Sequence, residues 1–239
     1  MTRWAVALLA LTLASPLPAQ QQPAPHVIQW YEAAGATAVI LGLFFADEPV
    51  MRWSQEVRSE TTDDIAAFVR HFGQPEVWVT VPVGLMAGGL LFKNEEVAKV
   101  GARAGASVAL AIATELTIKL IVGRTRPDSG LGAFHFDPFS VEANSMPSGH
   151  SAIAWGLLTS LAHEVDSPWV RVGFYGLATA TAWSRVNDNR HWLTDVVTGS
   201  LIGFTAAKLV HGKWQVWGIK PPSILVSAEG TTLSWAYRF

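Results

Sequence analysis

The stretch Ser184-Arg185-Val186-Asn187-Asp188-Asn189-Arg190-His191-Trp192-Leu193-Thr194-Asp195 decides how the rest of the chain is read. His191 and Asp195 are four residues apart, a spacing that places them on one face of a helix, where the carboxylate can hold the imidazole. The far ring nitrogen is then left as a nucleophile or a base. Upstream, Pro147-Ser148-Gly149-His150 stands directly before the apolar run Ser151–Ala162. That order predicts a helix N-terminus whose free N–H groups meet an anion, with Ser148 capping or donating, Gly149 allowing close approach and His150 beside the bound group. Further upstream, Lys119-Leu120-Ile121-Val122-Gly123-Arg124-Thr125-Arg126-Pro127 sets two cations seven apart. On a helix they point the same way, and Pro127 stops that helix. Each segment taken singly also reads as something plainer: a charged helix end, a turn with a surface histidine, an exposed ion pair.

Together the three segments resemble the signature of the type 2 phosphatidic acid phosphatase (PAP2) superfamily, which also holds bacterial acid phosphatases and vanadium haloperoxidases. The matching positions are Lys119, Arg126 and Pro127, then Pro147 to His150, then Ser184, Arg185, His191 and Asp195. The resemblance implies an all-α, PAP2-like helical bundle and a phosphatase that needs neither metal nor cofactor. It implies that His191 attacks phosphorus to form a phosphohistidine, that Asp195 orients it, and that His150 protonates the leaving oxygen and later activates water. Lys119, Arg126 and Arg185, with N–H groups around Ser148 and Gly149, would bind the phosphoryl oxygens. The substrate would be a phosphorylated lipid or a small phosphomonoester. Two rival functions are a vanadium-dependent haloperoxidase using the same anion pocket and a non-catalytic envelope scaffold. His26, His71, His135, His163 and His211 show no ligand spacing, and Arg124 and Arg190 are assigned nothing beyond local positive potential.

Outside the signature, apolar stretches at Ala33–Ala46, Val77–Phe92, Ala104–Thr114, Ser151–Ala162, Val172–Ser184 and Val196–Ala207 read as helices. None reaches the length of a confident membrane span. Asp47–Arg70 reads as a surface connection with a short amphipathic helix. Between Pro127 and Pro147, Phe134, Phe136 and Phe139 fit either contact with a lipid tail or packing of the connection on the helices. After Pro221-Pro222, Ser223–Ala228 and Thr231–Phe239 around Glu229-Gly230 predict a short C-terminal β-hairpin.

The N-terminus carries Arg3, an apolar run from Trp4 to Ala14 and the breakers of Ser15–Ala19, the pattern of an export signal. The expected organisation is therefore a signal over 1–19, a leader over 20–32, the phosphatase domain over 33–220 and the hairpin tail over 221–239. The 239 residues include no cysteine, 50% hydrophobic and 15% charged residues, and a net charge of −2. Disorder, a disulfide scaffold and a broad basic surface for nucleic acid are excluded. The short runs and unbiased loop charges predict an exported, periplasmic or envelope-associated protein whose apolar segments mostly pack on one another, touching a membrane to reach lipid. The alternative is an integral membrane enzyme with an outward-facing site.

Overall fold

The computed structural model describes residues 24–216, 223–227 and 230–234. The expected signal segment, and Trp235, Tyr237 and Phe239 of the expected last strand, lie outside these residues. The chain runs through β1 (His26–Ile28), α1 (Trp30–Glu56), α2 (Glu60–Val69), a 3-10 turn (Arg70–Gly73), α3 (Pro75–Trp78) and α4 (Thr80–Leu91). It continues through α5 (Glu95–Val122), a long connection, α6 (Gly149–His163), α7 (Pro168–Asn187), α8 (Leu193–Val210), β2 (Trp214–Val216) and the hairpin β3 (Ser223–Ser227) and β4 (Gly230–Ser234). All six apolar stretches lie in helices, and the antiparallel hairpin pairs Ser223 with Ser234 and Ser227 with Gly230. The structure lengthens what the sequence suggested. Asp47–Glu56, expected in a surface connection, completes α1, and His26–Glu32 of the expected leader forms β1 and the first turn of α1.

Helix α6 is the axis of the bundle, packed against α5, α7 and α8. Its contacts are made by small residues, including the fully buried Ala152 and Ala154 with Ala104, Ala111 and Ala207 on the neighbouring helices. Gly203 on α8 lies against the backbone of Ala152 and Gly156, so close that a Cβ would meet the Ala152 carbonyl oxygen and come within 2.7 Å of the Gly156 nitrogen. Backbones this close gain dispersion contact over long faces, the packing favoured where water supplies no hydrophobic drive between helices.

Bulky apolar side chains instead face outward. Phe45 is 78% exposed, Leu91 77% and Trp169 82%, with Val39, Leu41, Val83, Leu116, Ile121 and Leu201 exposed beside them. Helices α1, α5 and α8 are long and apolar enough to cross a membrane. Only 11% of the most apolar part of α1 and 22% of that of α5 are buried in the protein. Ser151–Ala162 is packed inside the bundle, but for α1 and α5 the expectation that the apolar segments mostly pack on one another is overturned. Their apolar faces are directed away from the core, as in a helix solvated by hydrocarbon.

The long helices run between two ends. One gathers the C-termini of α1, α5 and α7 with the N-termini of α6 and α8. At the other, β1 pairs in parallel with β2, His26 opposite Trp214. Between α1, α7 and α8 lies an apolar cavity of about 650 Å³ walled by Trp53, Trp155, Trp183 and Phe204. Replacing Gly203 with Val should lower stability by about 1–3 kcal/mol through forced separation of α6 and α8. Thermal unfolding of the purified protein in detergent reads this as a lowered midpoint, and an unchanged midpoint would contradict the packing described.

Candidate active site

Lys119 occupies the last turn of α5, and the helix ends at Gly123 in a left-handed conformation (φ 56°). Any side chain there would collide with the Asp137 carbonyl, and the Asp137 N–H donates to the Gly123 carbonyl at 2.6 Å. Gly123 therefore both stops the helix and seats the returning connection. Pro127 is not the stop, and Arg126 does not share a helical face with Lys119. Arg126 lies beyond the helix in extended backbone, its Nε donating to Asn144 Oδ1 at 3.0 Å. Lys119 forms an ion pair with Glu115, one turn earlier and nearly buried. The Glu115 carboxylate lies against Gly149, where a Cβ would come within 2.8 Å of its Oε1.

Ser148 is the N-cap of α6, as the sequence suggested, but its side chain makes no capping bond. It accepts from Ser151 Oγ at 3.0 Å, and its own N–H donates to the Asp195 carbonyl at 2.9 Å. The Ser148 N–H is thus occupied. The open end of α6 is formed by the N–H groups of Gly149, His150 and Ser151, which have no partner within the helix. His150 sits under the 3-10 turn, with Gly73 too close for a Cβ. The charges of Arg185, Lys119 and Arg126 all bear on its ring, together with His191.

Arg185, 7% exposed in the last turn of α7, donates from Nη1 to Asp188 Oδ2 at 2.8 Å. Its buried Nε has no partner among the described residues. A guanidinium braced on one side with a donor held free on the other is prepared for an anion. The Arg185 carbonyl accepts from the N–H groups of Arg190 and His191 at 3.0 and 3.2 Å, which folds the chain back into the site.

His191 stands before α8, not on it, so the four-residue spacing to Asp195 is realised across a helix cap rather than along a helical face. Its Nδ1 lies 2.8 Å from the Ser145 carbonyl and 3.7 Å from Asp195 Oδ2. The carbonyl accepts only from an Nδ1–H, which leaves Nε2 as the bare ring nitrogen. Asp195 acts through a bridge: Ser145 Oγ donates to its Oδ2 at 2.5 Å, and the Trp192 N–H donates to the same oxygen at 2.9 Å. Burial lowers the pKa of His191 below the ordinary histidine value, partly offset by Asp195, so the ring is neutral.

Arg124, given no specific role from the sequence, is fully buried beneath this bridge. Its Nη1 donates to Asp195 Oδ1 at 2.8 Å, its Nη2 donates to Asp47 Oδ2 at 2.6 Å, and Nε and Nη2 both donate to the Ala133 carbonyl. Phe44 covers the guanidinium at 4.4 Å. Asp47 also accepts from the Thr194 N–H at 2.8 Å. The sequence reading missed Asp47, Glu115 and Ser145. The first two had a signal, since a lone carboxylate inside an apolar helix is costly unless paired. Among the described residues no three His, Asp or Glu side chains gather in an arrangement that could hold a metal ion. Phe134 packs on Phe44 and Phe45, and Phe136 on Phe44, while Phe139 is exposed.

Known proteins share part of this sequence and this fold. Residues 101–218 match the PAP2 superfamily model. A lipid A 1-phosphatase of Porphyromonas gingivalis is 38% identical over 98 residues, 40% of this chain and 19% of that protein. An undecaprenyl-diphosphatase of Sulfolobus acidocaldarius is 28% identical over 144 residues, 60% of this chain and 66% of that protein. The chain thus spans about a fifth of the first of these relatives. The crystal structure of a transmembrane PAP2 type phosphatidylglycerolphosphate phosphatase from Bacillus subtilis aligns with a TM-score of 0.59 at 22% identity, covering 76% of this chain and 95% of that one.

Replacing Arg124 with Met would strand two buried carboxylates, a loss of about 3–5 kcal/mol. The expected result is a sharply lowered unfolding midpoint, whereas Asp128→Asn, which removes only an exposed partner of Arg190, should leave it nearly unchanged.

Proposed function

We propose, from the match of residues 101–218 to the PAP2 superfamily model, that the protein is a membrane phosphatase hydrolysing the phosphate or diphosphate ester of a lipid through a phosphohistidine. The observation that carries this reading is the state of His191: neutral, tied at Nδ1, bare at Nε2, with the charges of Arg185 and Arg126 bearing on it and Lys119 bearing on the neighbouring His150.

Burial, then the charges of Arg185, His191, Lys119 and Arg126, hold the His150 pKa down at about 3. A bound phosphate anion offsets those cations, so His150 takes up a proton with the substrate and gives it to the leaving oxygen as the Nε2 lone pair of His191 attacks phosphorus and the bond to that oxygen breaks. The Ser145 carbonyl stabilises the imidazolium-like phosphohistidine by accepting from Nδ1–H, and Asp195 holds Ser145 in position. Neutral His150 then takes a proton from water, whose oxygen bonds to phosphorus. The P–N bond breaks, its electron pair returns to Nε2, and phosphate leaves. Lys119, Arg126, Arg185 and the open end of α6 hold the three equatorial oxygens throughout. Glu115 gives up Lys119 in part when the anion enters.

A hydrocarbon tail has room in an apolar groove of about 530 Å³ between α3, α4 and α5, walled by Trp78, Val83, Ala109, Ile112 and Leu116. Leu116 is one turn from Lys119, which supports a substrate whose phosphate and tail lie along one seam. The bare apolar faces of α1 and α5 support a protein set within the bilayer. Leaving aside buried Arg124 and the cations of the phosphate site, six described cations (Lys93, Lys99, Arg103, Arg171, Lys208 and Lys213) lie at the end away from the site, against four at the site end (Arg52, Arg58, Arg70 and Arg190). Positive charge favours the cytoplasm, which supports a site on the outer face.

The purified protein should release phosphate from lipid phosphates with a chelator present, and vanadate should inhibit it. His191→Ala should abolish turnover, and His150→Ala should slow it by about 10²- to 10⁴-fold. Because burial lowers the His191 pKa, the neutral nucleophile persists as pH falls, and kcat/KM should begin its acid decline below pH ~6.5. Near-normal turnover by the His191→Ala protein would overturn the mechanism.

The cysteine-free chain makes its orientation measurable. A membrane-impermeant maleimide applied to intact cells should label Ser129→Cys and spare Lys213→Cys. The reverse pattern would turn the site inward.

A further inference from the structure

The end of the bundle opposite the phosphate site collects cations that lack carboxylate partners among the described residues. Lys208, in the last turn of α8, sits 5.0 Å over the Phe204 ring and shares its surroundings with Arg171 and Lys213. The Arg171 Nε is braced on the Val165 carbonyl at 2.8 Å, and its two Nη groups have no partner among the described residues. Lys213 is fixed through its backbone, the N–H donating to the Lys208 carbonyl and the carbonyl accepting from His26.

Two histidines close the inner wall, His163 and His211, with ring centroids 4.9 Å apart. His211 Nε2 meets Ser160 Oγ at 2.8 Å. The His163 Nε2 is buried and has no partner among the described residues. Glu164 is the carboxylate facing this wall, and it is taken by Arg103 at 2.9 Å with His211 at 3.6 Å. Burial first, and then the charges of His163, Arg103, Lys213 and Lys208, push the His211 pKa down to about 3.

A basin of three uncompensated cations and an orphaned ring nitrogen calls for a counter-anion. Its rim identifies the class. Trp169, Val170 and Val172, on the first turns of α7, are exposed next to Arg171. Exposed tryptophan beside basic residues at a helix end is the composition of the bilayer interface.

We propose that this basin is a second anion site, distinct from the catalytic pocket, that binds the phosphate group of an anionic phospholipid through Arg171, Lys208, Lys213 and His163. A lipid held there seals the junction of α6, α7 and α8 at the end where β1 and β2 meet. It stabilises the fold without being a substrate.

The test uses the full chain in nanodiscs of phosphatidylcholine with and without phosphatidylglycerol, and in detergent with inorganic phosphate. The wild-type protein should gain about 5 °C or more in unfolding midpoint from phosphatidylglycerol, the scale of a ligand well above its dissociation constant. The triple variant Arg171→Gln, Lys208→Gln, Lys213→Gln should lose that gain while keeping its midpoint in phosphatidylcholine alone. This comparison separates the basin from the catalytic pocket, which is intact in both proteins. If inorganic phosphate alone produces the same variant-sensitive gain, the anion site stands and free phosphate is its source. No gain in the wild-type protein, or an equal gain in the triple variant, would overturn the proposal.

Discussion

A single buried guanidinium holds the two halves of the protein together. Arg124 lies between Asp47 on α1 and Asp195 on α8, caps nothing exposed, and takes its remaining acceptor from the Ala133 carbonyl of the connection over the site. Desolvating these three charges costs several kcal/mol each before pairing, so the arrangement persists only when every partner is in place. The same Asp195 that neutralises Arg124 also fixes Ser145, the first turn of α8 and, through the Ser145 carbonyl, the tautomer of His191. The chemistry at the surface of the site therefore inherits its geometry from an ion pair beneath it.

How much of this was legible in the residues depends on distance along the chain. The segments around Lys119, Ser148 and His191 point to the proposed chemistry because each is local, and the helices follow from apolar runs bounded by breakers. What could not be read is pairing between distant segments. Asp47 is 77 positions from Arg124 and 148 from Asp195, and no local pattern announces their meeting. The helical face expected for His191 and Asp195 gave way to a cap because the Asp195 carboxylate satisfies the Trp192 N–H, which is worth more there than a side-on contact with imidazole. The stretch from Asp47 to Glu56 looked like a surface connection because charge was read as exposure, whereas Asp47 is fully buried.

The small-residue core and the outward apolar residues express one constraint. Alanine and glycine on α5, α6 and α8 let backbones touch, and large side chains displaced from those contacts face outward. In water that distribution would be unfavourable. In hydrocarbon it is nearly neutral, because a lipid tail is as good a neighbour as a leucine.

The attachment of α1 has a mechanical meaning. At one end β1 is strapped to β2, and at the other Asp47 is locked under Arg124, yet most of the helix between them touches little protein. A groove of about 290 Å³ lined by Ala36, Ile40, Leu110 and Leu201 lies along this lightly supported span. The helix is a stave clamped near both ends and slack in its span. Lateral pressure from the surrounding medium would therefore bow the middle and change the width of that gap before it disturbed the clamped end beside His191.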